Sequence, residues 1–323
     1  MKASIIIPVY NAEKTIKETL KALEEQEGIA GRDFEVVCVD DGSTDRTIKA
    51  IKAFRKVRLI RQNHKGPAVA RNLGARKAIG EILVFIDSDC APEKNWLKEM
   101  LEPFKKKEIK GVQGAYKSRQ KSLIARFVQT EVEERYEHMK NYRFIDWIGT
   151  YSGAYRKKDF LEVKGFDEKF PIASGEDPDL SFRMAKKGKK LVFNPKAIVY
   201  HLHPESLTHY LKVKFFRAFY RIRLYGKHAD KMKQDTYTTH TLKIKIVLLY
   251  LIALTFALSF IGFIFQILTA LLILLFALTL IPASWYMLKK SLVLGLIAPV
   301  LLTLRSIAFA SGLVAGLIWG RKQ

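Results

Sequence analysis

The stretch FEVVCVDDGSTD, Phe34 to Asp45, changes from apolar to polar halfway along and decides how the first part of the chain folds. Its first half is a run of apolar and β-branched residues, which predicts a buried strand. Asp40 and Asp41 end that strand, and the GST that follows can turn sharply and cap a helix. A strand that passes through a short loop into a helix is the building unit of a parallel sheet, so we expect an α/β fold.

The same alternation runs through the first hundred residues. Strand-like runs occur at Ser4–Val9, Phe34–Asp40, Val57–Arg61 and Glu81–Asp87, with amphipathic segments between them near residues 13–26, 44–54 and 67–79. Continuous apolar strands separated by helices are typical of a mostly parallel sheet covered on both faces. Ligands of such sheets bind beyond the carboxyl ends of the strands, so we expect the functional site at that edge.

Polar residues follow three of these strands and would meet at that edge. They are Tyr10, Asn11 and Glu13 after the first strand, Asp40 and Asp41 after the second, and Asp87 and Asp89 after the fourth. One capping side chain would suffice for the second loop, so two aspartates there are more than capping requires. Their carboxylates can accept hydrogen bonds from a nucleobase or a ribose, and a purely structural loop is the alternative.

The motif DSD suggests a metal site. On an extended segment residues i and i+2 point to the same side, so Asp87 and Asp89 are expected to converge. A hard divalent cation, Mg²⁺ or Mn²⁺, would relieve their repulsion, and two solvated loop aspartates are the alternative. His201 and His203 share the same spacing at the end of another strand-like run, so one of them could complete the metal site.

Two further groups are candidates for chemistry. Glu176 and Asp177 precede Pro178 at the start of a predicted helix, where a single acidic residue would suffice for capping. One of these carboxylates could take a proton from an attacking hydroxyl as a general base. Arg71 lies in a helical segment after Gly66 and could meet a phosphate bidentately, unless it is an ordinary solvated arginine.

The charge of the chain is unevenly distributed. It carries 55 Lys and Arg against 32 Asp and Glu, a net charge of +23, and no acidic residue follows Asp235. A nucleic-acid binder is disfavoured, because no basic-aromatic recognition module is visible. Anionic lipid headgroups and anionic small substrates explain the positive excess better.

The last quarter of the chain predicts a multi-pass membrane segment. Three apolar spans are expected at about 244–262, 264–286 and 291–319. Lysines beside the first two spans place their flanking ends on the cytoplasmic side. Pro299 and Arg305 leave open whether the third span crosses the membrane or is a broken, re-entrant segment.

The segment before these spans has helical periodicity. Its apolar residues recur on one face, and Lys214 is among the basic residues that lie mainly on other faces. That pattern suits a helix in the membrane interface, and a helix packed on the preceding domain is the alternative. The expected division is residues 1–204, 205–240 and 241–323, with no signal peptide and the first domain on the cytoplasmic face of the cell membrane.

Seven motifs between about residues 3 and 226 together resemble the family-2 inverting glycosyltransferases of the GT-A fold. They are SIIIPVYNAE, VDDGSTD, GPAVARNLG, DSD, GTYSGAYRKKDFLEVKGFDEKF, GEDPDLSFRMAKKG and VYHLHP, in that order. The resemblance implies a hexosyltransferase-class enzyme that uses Mn²⁺ or Mg²⁺ and a nucleotide-sugar donor, with UDP-sugars favoured and GDP-sugars possible.

The resemblance also implies a role for each candidate residue. The nucleotide-sugar-binding residues would be Pro8, Tyr10, Asn11, Glu13, Asp40, Asp41, Arg71 and Asp87, with Asp41 bonding the base. The metal ligands would be Asp89, Asp87 and His201, with Asp89 the main one. Asp177 would be the catalytic base, and Glu176 its neighbour or substitute.

The expected reaction is one displacement that moves a sugar to a hydroxyl of a lipid-linked or membrane-associated glycan and inverts the anomeric centre. A processive polymerase is disfavoured, because no Q-x-x-R-W motif is present. A polyprenyl-phosphate sugar synthase is one alternative, although its phosphate acceptor would need no base and so no GED element. A polysaccharide synthesis or export component with a vestigial transferase domain is the other.

Overall fold

The computed structural model describes residues 2–170, 174–233 and 235–319. These residues form two compact units. The first comprises the residues up to Arg119 together with Met139–Leu202, and the second comprises Gln120–His138 together with the residues from His203 onward. The division at residues 204 and 240 that the sequence suggests stays a prediction.

The first unit is built on a sheet of eight strands in the described residues. They are β1 (Ala3–Val9), β2 (Phe34–Asp40), β3 (Val57–Arg61), β4 (Ile82–Phe85), β5 (Ala91–Pro92), β6 (Ile109–Lys117), β7 (Gly153–Arg156) and β8 (Lys190–Tyr200). Their order across the sheet is β3-β2-β1-β4-β7-β6-β8-β5. The strands β3, β2, β1 and β4 run parallel, β7 is antiparallel to both of its neighbours, and β6 runs parallel to β8. This GT-A-like mixed sheet with a parallel half confirms the predicted fold class.

The described residues contain twelve α-helices. They are α1 (Ile16–Glu24), α2 (Thr47–Lys52), α3 (Pro67–Lys77), α4 (Trp96–Leu101), α5 (Leu123–Lys140), α6 (Lys157–Glu162), α7 (Glu176–Lys186), α8 (Leu207–Lys227), α9 (Ala229–Lys233), α10 (His240–Leu258), α11 (Phe263–Lys290) and α12 (Leu292–Trp319). The helices α1 to α3 each follow a strand of the parallel half, as the alternation in the sequence predicted.

The strand β1 lies inside the parallel half and is apolar on both faces. Ile5, Ile6 and Ile7 have no exposed surface, because β1 is flanked by β2 and β4 and covered on each side. The helix α3 packs closely on this part of the sheet at Gly74. A Cβ atom added there would lie 2.6 Å from Cγ2 of Ile6 and 3.1 Å from Cγ2 of Val39.

In the second unit, α10, α11 and α12 are long and apolar enough to cross a membrane by their length and composition. The ends of the first two helices differ from those of the predicted spans. The helix α10 ends at Leu258, before residue 262, and α11 ends at Lys290, after residue 286. The helix α12 is continuous and includes Pro299. The segment is therefore not broken at Pro299, and whether it crosses the membrane or is re-entrant stays a prediction.

The helix α8 packs along α12 at two glycines of α12. A Cβ atom at Gly312 would collide with the backbone oxygen of Phe215, and one at Gly316 would collide with that of Phe219. Glycines four residues apart lie on one face of a helix and let two backbones approach closely. The helix α8 therefore has a tightly packed face within the second unit. Its position in a membrane interface stays a prediction.

We expect Gly74→Ala to destabilise the protein by about 1–3 kcal/mol, because the added methyl group overpacks the contact between α3 and the sheet. The measurement is thermal unfolding of the detergent-solubilised protein followed by circular dichroism. Gly226→Ala in α8 is the matched control, because a Cβ atom there meets nothing within 4 Å. We expect that control to be neutral or slightly stabilising, and equal effects of the two changes would contradict the packing argument.

Candidate active site

The loops after β1 and β2 are joined by hydrogen bonds that use side chains of both loops. The backbone N–H of Asn11 donates to Oγ of Ser43 at 2.9 Å, and Oδ1 of Asn11 accepts from the backbone N–H of Thr44 at 2.8 Å. Oε2 of Glu13 accepts from the backbone N–H of Arg46 at 3.0 Å. Asn11 and Glu13 thus shape this edge of the sheet through loop-to-loop hydrogen bonds.

Asp40 is fully buried at the end of β2. Its Oδ1 accepts from the backbone N–H of Ser43 at 3.2 Å, and its Oδ2 lies 3.6 Å from Nε of Arg61. The carboxylate therefore closes the turn after β2 from inside the fold.

Asp41 is buried and organises the loop at residues 62–66. Its Oδ1 accepts from Nε2 of Gln62 at 2.6 Å and from the backbone N–H of Lys65 at 2.9 Å, and its Oδ2 accepts from the backbone N–H of Gly66 at 2.9 Å. A carboxylate offers about four acceptor positions, so most of its capacity is used by the chain itself in this conformation. Gln62 belongs to the site, and no motif in the sequence singled it out.

Tyr10 presents an aromatic face beside Asp41. Its side chain is 47% exposed, and the ring of His64 stacks on it with centroids 4.2 Å apart and planes inclined by 28°. Nδ1 of His64 also lies 3.0 Å from Oδ2 of Asp41. The imidazole ring of His64 therefore already occupies a stacking position between Tyr10 and the carboxylate of Asp41. In β1, Pro8 pairs with Val39 of β2. Sequence reasoning missed His64, although it follows β3 in the same way that the other site loops follow their strands.

Arg71 joins two of the candidate motifs directly. Its side chain is 3% exposed, with Nη2 lying 2.8 Å from Oδ1 of Asp87 and Nη1 lying 2.8 Å from Oε1 of Glu176. The guanidinium therefore bridges the loop after β4 and the start of α7. Because both terminal nitrogens are engaged by carboxylates, Arg71 acts here as a connector between acidic groups.

Asp87 and Asp89 do not lie on an extended segment. The strand β4 ends at Phe85, and the backbone N–H of Cys90 donates to the carbonyl of Asp87 at 3.1 Å, which closes a turn. The two side chains consequently take different partners: Asp87 binds Arg71, and Asp89 lies beside His201. The extended conformation expected from the i, i+2 spacing is therefore wrong, because the segment turns, while a metal shared by the two carboxylates stays a prediction.

Three side chains with potential metal-ligating atoms lie within 4.8 Å of one another in the described part of the chain: Asp89, Cys90 and His201. Nε2 of His201 is 3.6 Å from Oδ2 of Asp89. Burial raises the pKa of the Cys90 thiol well above its ordinary value, so a protonated thiol is a poor ligand. A carboxylate and an imidazole remain, a donor set that suits Mn²⁺ or Mg²⁺ whose other positions go to water or phosphate oxygens. His203 lies in the second unit, where its ring Nε2 is 2.9 Å from Oε1 of Gln129.

Glu176 and Asp177 form the first turn of α7, which follows Gly175 with a φ of 112°. Burial and the charge of Asp177 raise the pKa of Glu176 to about 8, against the opposing attraction of Arg71. Burial also raises the pKa of Asp177, again against Arg71. Carboxyl groups with raised pKa values often serve as general bases, so Glu176 and Asp177 are both candidates for that role.

Asp177 keeps one oxygen available for a ligand. Its Oδ2 accepts from the backbone N–H of Thr150 at 3.1 Å and from the Thr150 hydroxyl at 3.3 Å. Its Oδ1 is buried and has no hydrogen-bond partner among the described residues, and the same is true of Oε2 of Glu176. Thr150 orients this carboxylate, and sequence reasoning missed it because nothing local marks a threonine as a partner of a residue 27 positions away.

Comparison with known families matches residues 4–161 to Glycosyl transferase family 2. Among curated relatives, the pre-mycofactocin glycosyltransferase of Mycobacterium tuberculosis is 27% identical over 237 residues, which cover 71% of this chain and 48% of that protein. The poly(ribitol-phosphate) beta-N-acetylglucosaminyltransferase TarS of Staphylococcus aureus is 41% identical over 104 residues, which cover 31% of this chain and 18% of that protein. The chain therefore spans about half of the length of these relatives or less.

Among solved structures, the mannosyltransferase PcManGT from Pyrobaculum calidifontis, in complex with GDP-Man and Mn²⁺, has a similar fold. The TM-score is 0.62 at 18% sequence identity, and the alignment covers 99% of this chain and 88% of that one. At this identity the likeness concerns the fold. The family match and the named relatives agree with the motifs and with the site that the motifs form. Residues 4–161 of the chain are therefore similar to glycosyl transferase family 2.

Proposed function

We propose that this chain is a membrane-bound inverting glycosyltransferase that moves one sugar from a nucleotide-sugar donor to a hydroxyl of a lipid-linked or membrane-associated glycan. The observation that carries the proposal is the Arg71 bridge. By binding Asp87 and Glu176 at 2.8 Å each, Arg71 places the donor-side loop and the candidate base in one site. A domain that only bound a nucleotide would not need the bond from Arg71 to Glu176.

Asp177 is the proposed general base. Thr150 holds one of its oxygens, and the other is buried without a partner among the described residues, so it can accept the proton of the acceptor hydroxyl. The hydroxyl oxygen then forms a bond to the anomeric carbon while the bond to the nucleoside diphosphate breaks on the opposite face. This single displacement inverts the configuration and needs no covalent enzyme intermediate.

Asp89 and His201 are the residues that would hold a divalent metal, and Asp87 is the neighbouring carboxylate. A divalent cation held there would neutralise charge on the departing diphosphate. A similar structure supports metal use, since PcManGT was solved with Mn²⁺. Either Mn²⁺ or Mg²⁺ fits the oxygen and nitrogen donors present.

The donor pocket is proposed to lie between Tyr10 and the loop at residues 62–66. Pro8, Tyr10 and Asp41 would face the nucleobase, with His64 yielding its stacking position on Tyr10. The relatives use nucleotide sugars of more than one kind: PcManGT was solved with GDP-Man, whereas TarS is an N-acetylglucosaminyltransferase. We favour a UDP-sugar, with a GDP-sugar as the alternative.

A membrane-associated acceptor is proposed because three helices of the second unit are apolar enough to cross a bilayer. With Lys243, Lys289 and Lys290 on the inner side, the first unit would face the cytoplasm. The proposed division is a catalytic domain at residues 1–204, a connecting helix at 205–240 and a membrane segment at 241–323.

The experiment that tests the proposal is a screen of radiolabelled sugar nucleotides against total membrane lipids, with and without EDTA. We expect Mn²⁺-dependent labelling of lipid-linked glycans. Transfer to bare polyprenyl phosphate, and not to lipid-linked sugars, would instead favour a polyprenyl-phosphate sugar synthase. No transfer from any donor would favour a component with a vestigial transferase domain.

Asp177→Asn is expected to lower the transfer rate by about 10²–10⁴-fold, because the amide cannot accept the proton of the hydroxyl. Donor binding, measured by calorimetry with the nucleoside diphosphate, should stay within about threefold, since Asp177 does not contact the donor pocket in the proposal. The matched control is Asp33→Asn, an exposed aspartate outside the site. A transfer rate close to that of the control would remove Asp177 from the base role.

Asp89→Ala is expected to raise the Mn²⁺ concentration that gives half-maximal transfer by about tenfold or more, because it removes one of two ligands. Asp87→Ala should act mainly on the maximal rate, because it deprives Arg71 of a partner and leaves Asp89 and His201 in place. Titration of Mn²⁺ for both variants distinguishes these effects. Equal shifts in the Mn²⁺ requirement would show that the metal is placed wrongly.

The raised pKa values of Glu176 and Asp177 predict an acid limb in the pH profile of transfer. A base must be ionised, so the rate falls as the pH drops through its pKa, and here that fall should begin well above the ordinary aspartate value of about 4. Asp87→Asn removes a negative charge that helps to raise the pKa of Asp177 and should move the limb to lower pH. The measurement is kcat/KM between about pH 5 and 9, and a limb that stays in place or moves upward would refute the coupling.

A further inference from the structure

His64 makes the contacts that the proposed function expects of a nucleobase. Its ring stacks on that of Tyr10, with centroids 4.2 Å apart and planes inclined by 28°. Its Nδ1 lies 3.0 Å from Oδ2 of Asp41 and 3.1 Å from the backbone oxygen of the same residue. An ionised carboxylate and a carbonyl oxygen can only accept hydrogen bonds, so Nδ1 carries a proton and donates it. A flat ring thus lies on Tyr10 and directs one ring N–H at Asp41.

The carboxylate of Asp41 is fully used in this conformation. An ionised carboxylate accepts about four hydrogen bonds. Oδ1 accepts from Nε2 of Gln62 at 2.6 Å and from the backbone N–H of Lys65 at 2.9 Å. Oδ2 accepts from the backbone N–H of Gly66 at 2.9 Å and from Nδ1 of His64 at 3.0 Å. A nucleobase can therefore bond to Asp41 only if one of these donors leaves.

His64 is the donor that can leave at the lowest cost. Its side chain is 58% exposed, so water can replace the hydrogen bond that the ring gives up. The backbone of the loop at residues 62–66 is more firmly held. It donates two N–H groups to Asp41, and a Cβ atom added at Gly42 would lie only 2.9 Å from the backbone nitrogen of His64. Rotation of one exposed side chain can thus open the position while the loop stays in place.

We propose that His64 competes with the nucleobase of the donor for the position beside Tyr10 and Asp41, and so sets the affinity for the nucleotide. The ring and the base exclude each other, because rings 4.2 Å apart leave no space for a third ring between them. The inference rests on the proposed function, which places the nucleobase at these two residues. If His64 closes the position in about nine molecules of ten, it weakens nucleotide binding about tenfold.

The contact with Asp41 also defines the class of base that can replace His64. The base must direct a hydrogen-bond donor at Oδ2, because a ring nitrogen with a lone pair would face a negative carboxylate there. Uracil and guanine each have a ring N–H beside a carbonyl group. The corresponding ring nitrogens of cytosine and adenine are acceptors. Uridine and guanosine nucleotides are therefore the ligands expected to displace His64.

A role for His64 in holding the bound base is the competing explanation. In that role the ring would move outward and stack on the outer face of the base, so its removal would weaken nucleotide binding. Removal of a competitor has the opposite effect, because the position is then open in every molecule. The direction of the change in affinity distinguishes the two roles.

The experiment is calorimetry on the full chain in detergent with Mn²⁺, and with UDP, GDP and CDP as probes. We expect His64→Ala to lower the Kd of UDP or GDP between about threefold and thirtyfold. His64→Phe keeps a ring that can stack on Tyr10 but has no N–H, so it should lower the Kd less than His64→Ala does. His209→Ala removes an exposed histidine of α8 and is the matched control, with an unchanged Kd. CDP should bind about tenfold more weakly than the better of the other two probes.

Three results would overturn the proposal. Weaker binding in His64→Ala would assign the ring to holding the base, and unchanged binding would show that another donor leaves Asp41. Equal affinities for CDP and UDP would show that a ring N–H is not what replaces His64. The proposed function is tested separately by sugar transfer. Tighter nucleotide binding in His64→Ala with no transfer from any donor removes only the proposed function, whereas transfer with unchanged affinity removes only the competition.

Discussion

The first unit depends on the buried guanidinium of Arg71. A cation that is 3% exposed can stay ionised in the fold only beside counter-charges, so Asp87 and Glu176 are needed for structure whatever their part in the proposed chemistry. The planar fork of an arginine sets both the distance and the direction of its carboxylate partners. The end of β4 and the start of α7, which are far apart in the chain, are thereby held in one geometry. Asp89 and Asp177, each close in sequence to one partner of Arg71, are placed as a consequence.

The parallel half of the sheet could be predicted because its signals are local. Apolar runs such as the one that ends at Asp40 mark buried strands, and the polar loops behind them mark the binding edge. The strand β5 comprises only Ala91 and Pro92 and has no pattern of its own. The strand β5 forms because β8 has an edge with which it can pair. That edge is a property of the folded sheet and not of Ala91 and Pro92.

In the candidate site, the sequence indicated which residues lie near one another better than it indicated their individual partners. Asp87 and Asp89 were assumed to be extended, and a single turn hydrogen bond to Cys90 redirects them. The bond from Arg71 to Glu176 joins residues 105 positions apart, and His64 stacks on Tyr10 from a loop without a motif. Such pairings follow from topology, because several strands bring their loops to one edge. Local spacing contains no information about them.

Arg305 also bears on how the chain is made. Its helix is nearly all apolar, and an arginine in the middle of such a segment opposes entry into a bilayer by about 2.5–3.5 kcal/mol. The carboxylate that neutralises this arginine belongs to Glu131, 174 residues earlier, and is therefore synthesised long before α12 emerges. Glu131 and α8 can therefore be folded before α12 is synthesised. Were α12 to enter a bilayer, the order of synthesis would make Glu131 available beforehand as the partner of Arg305.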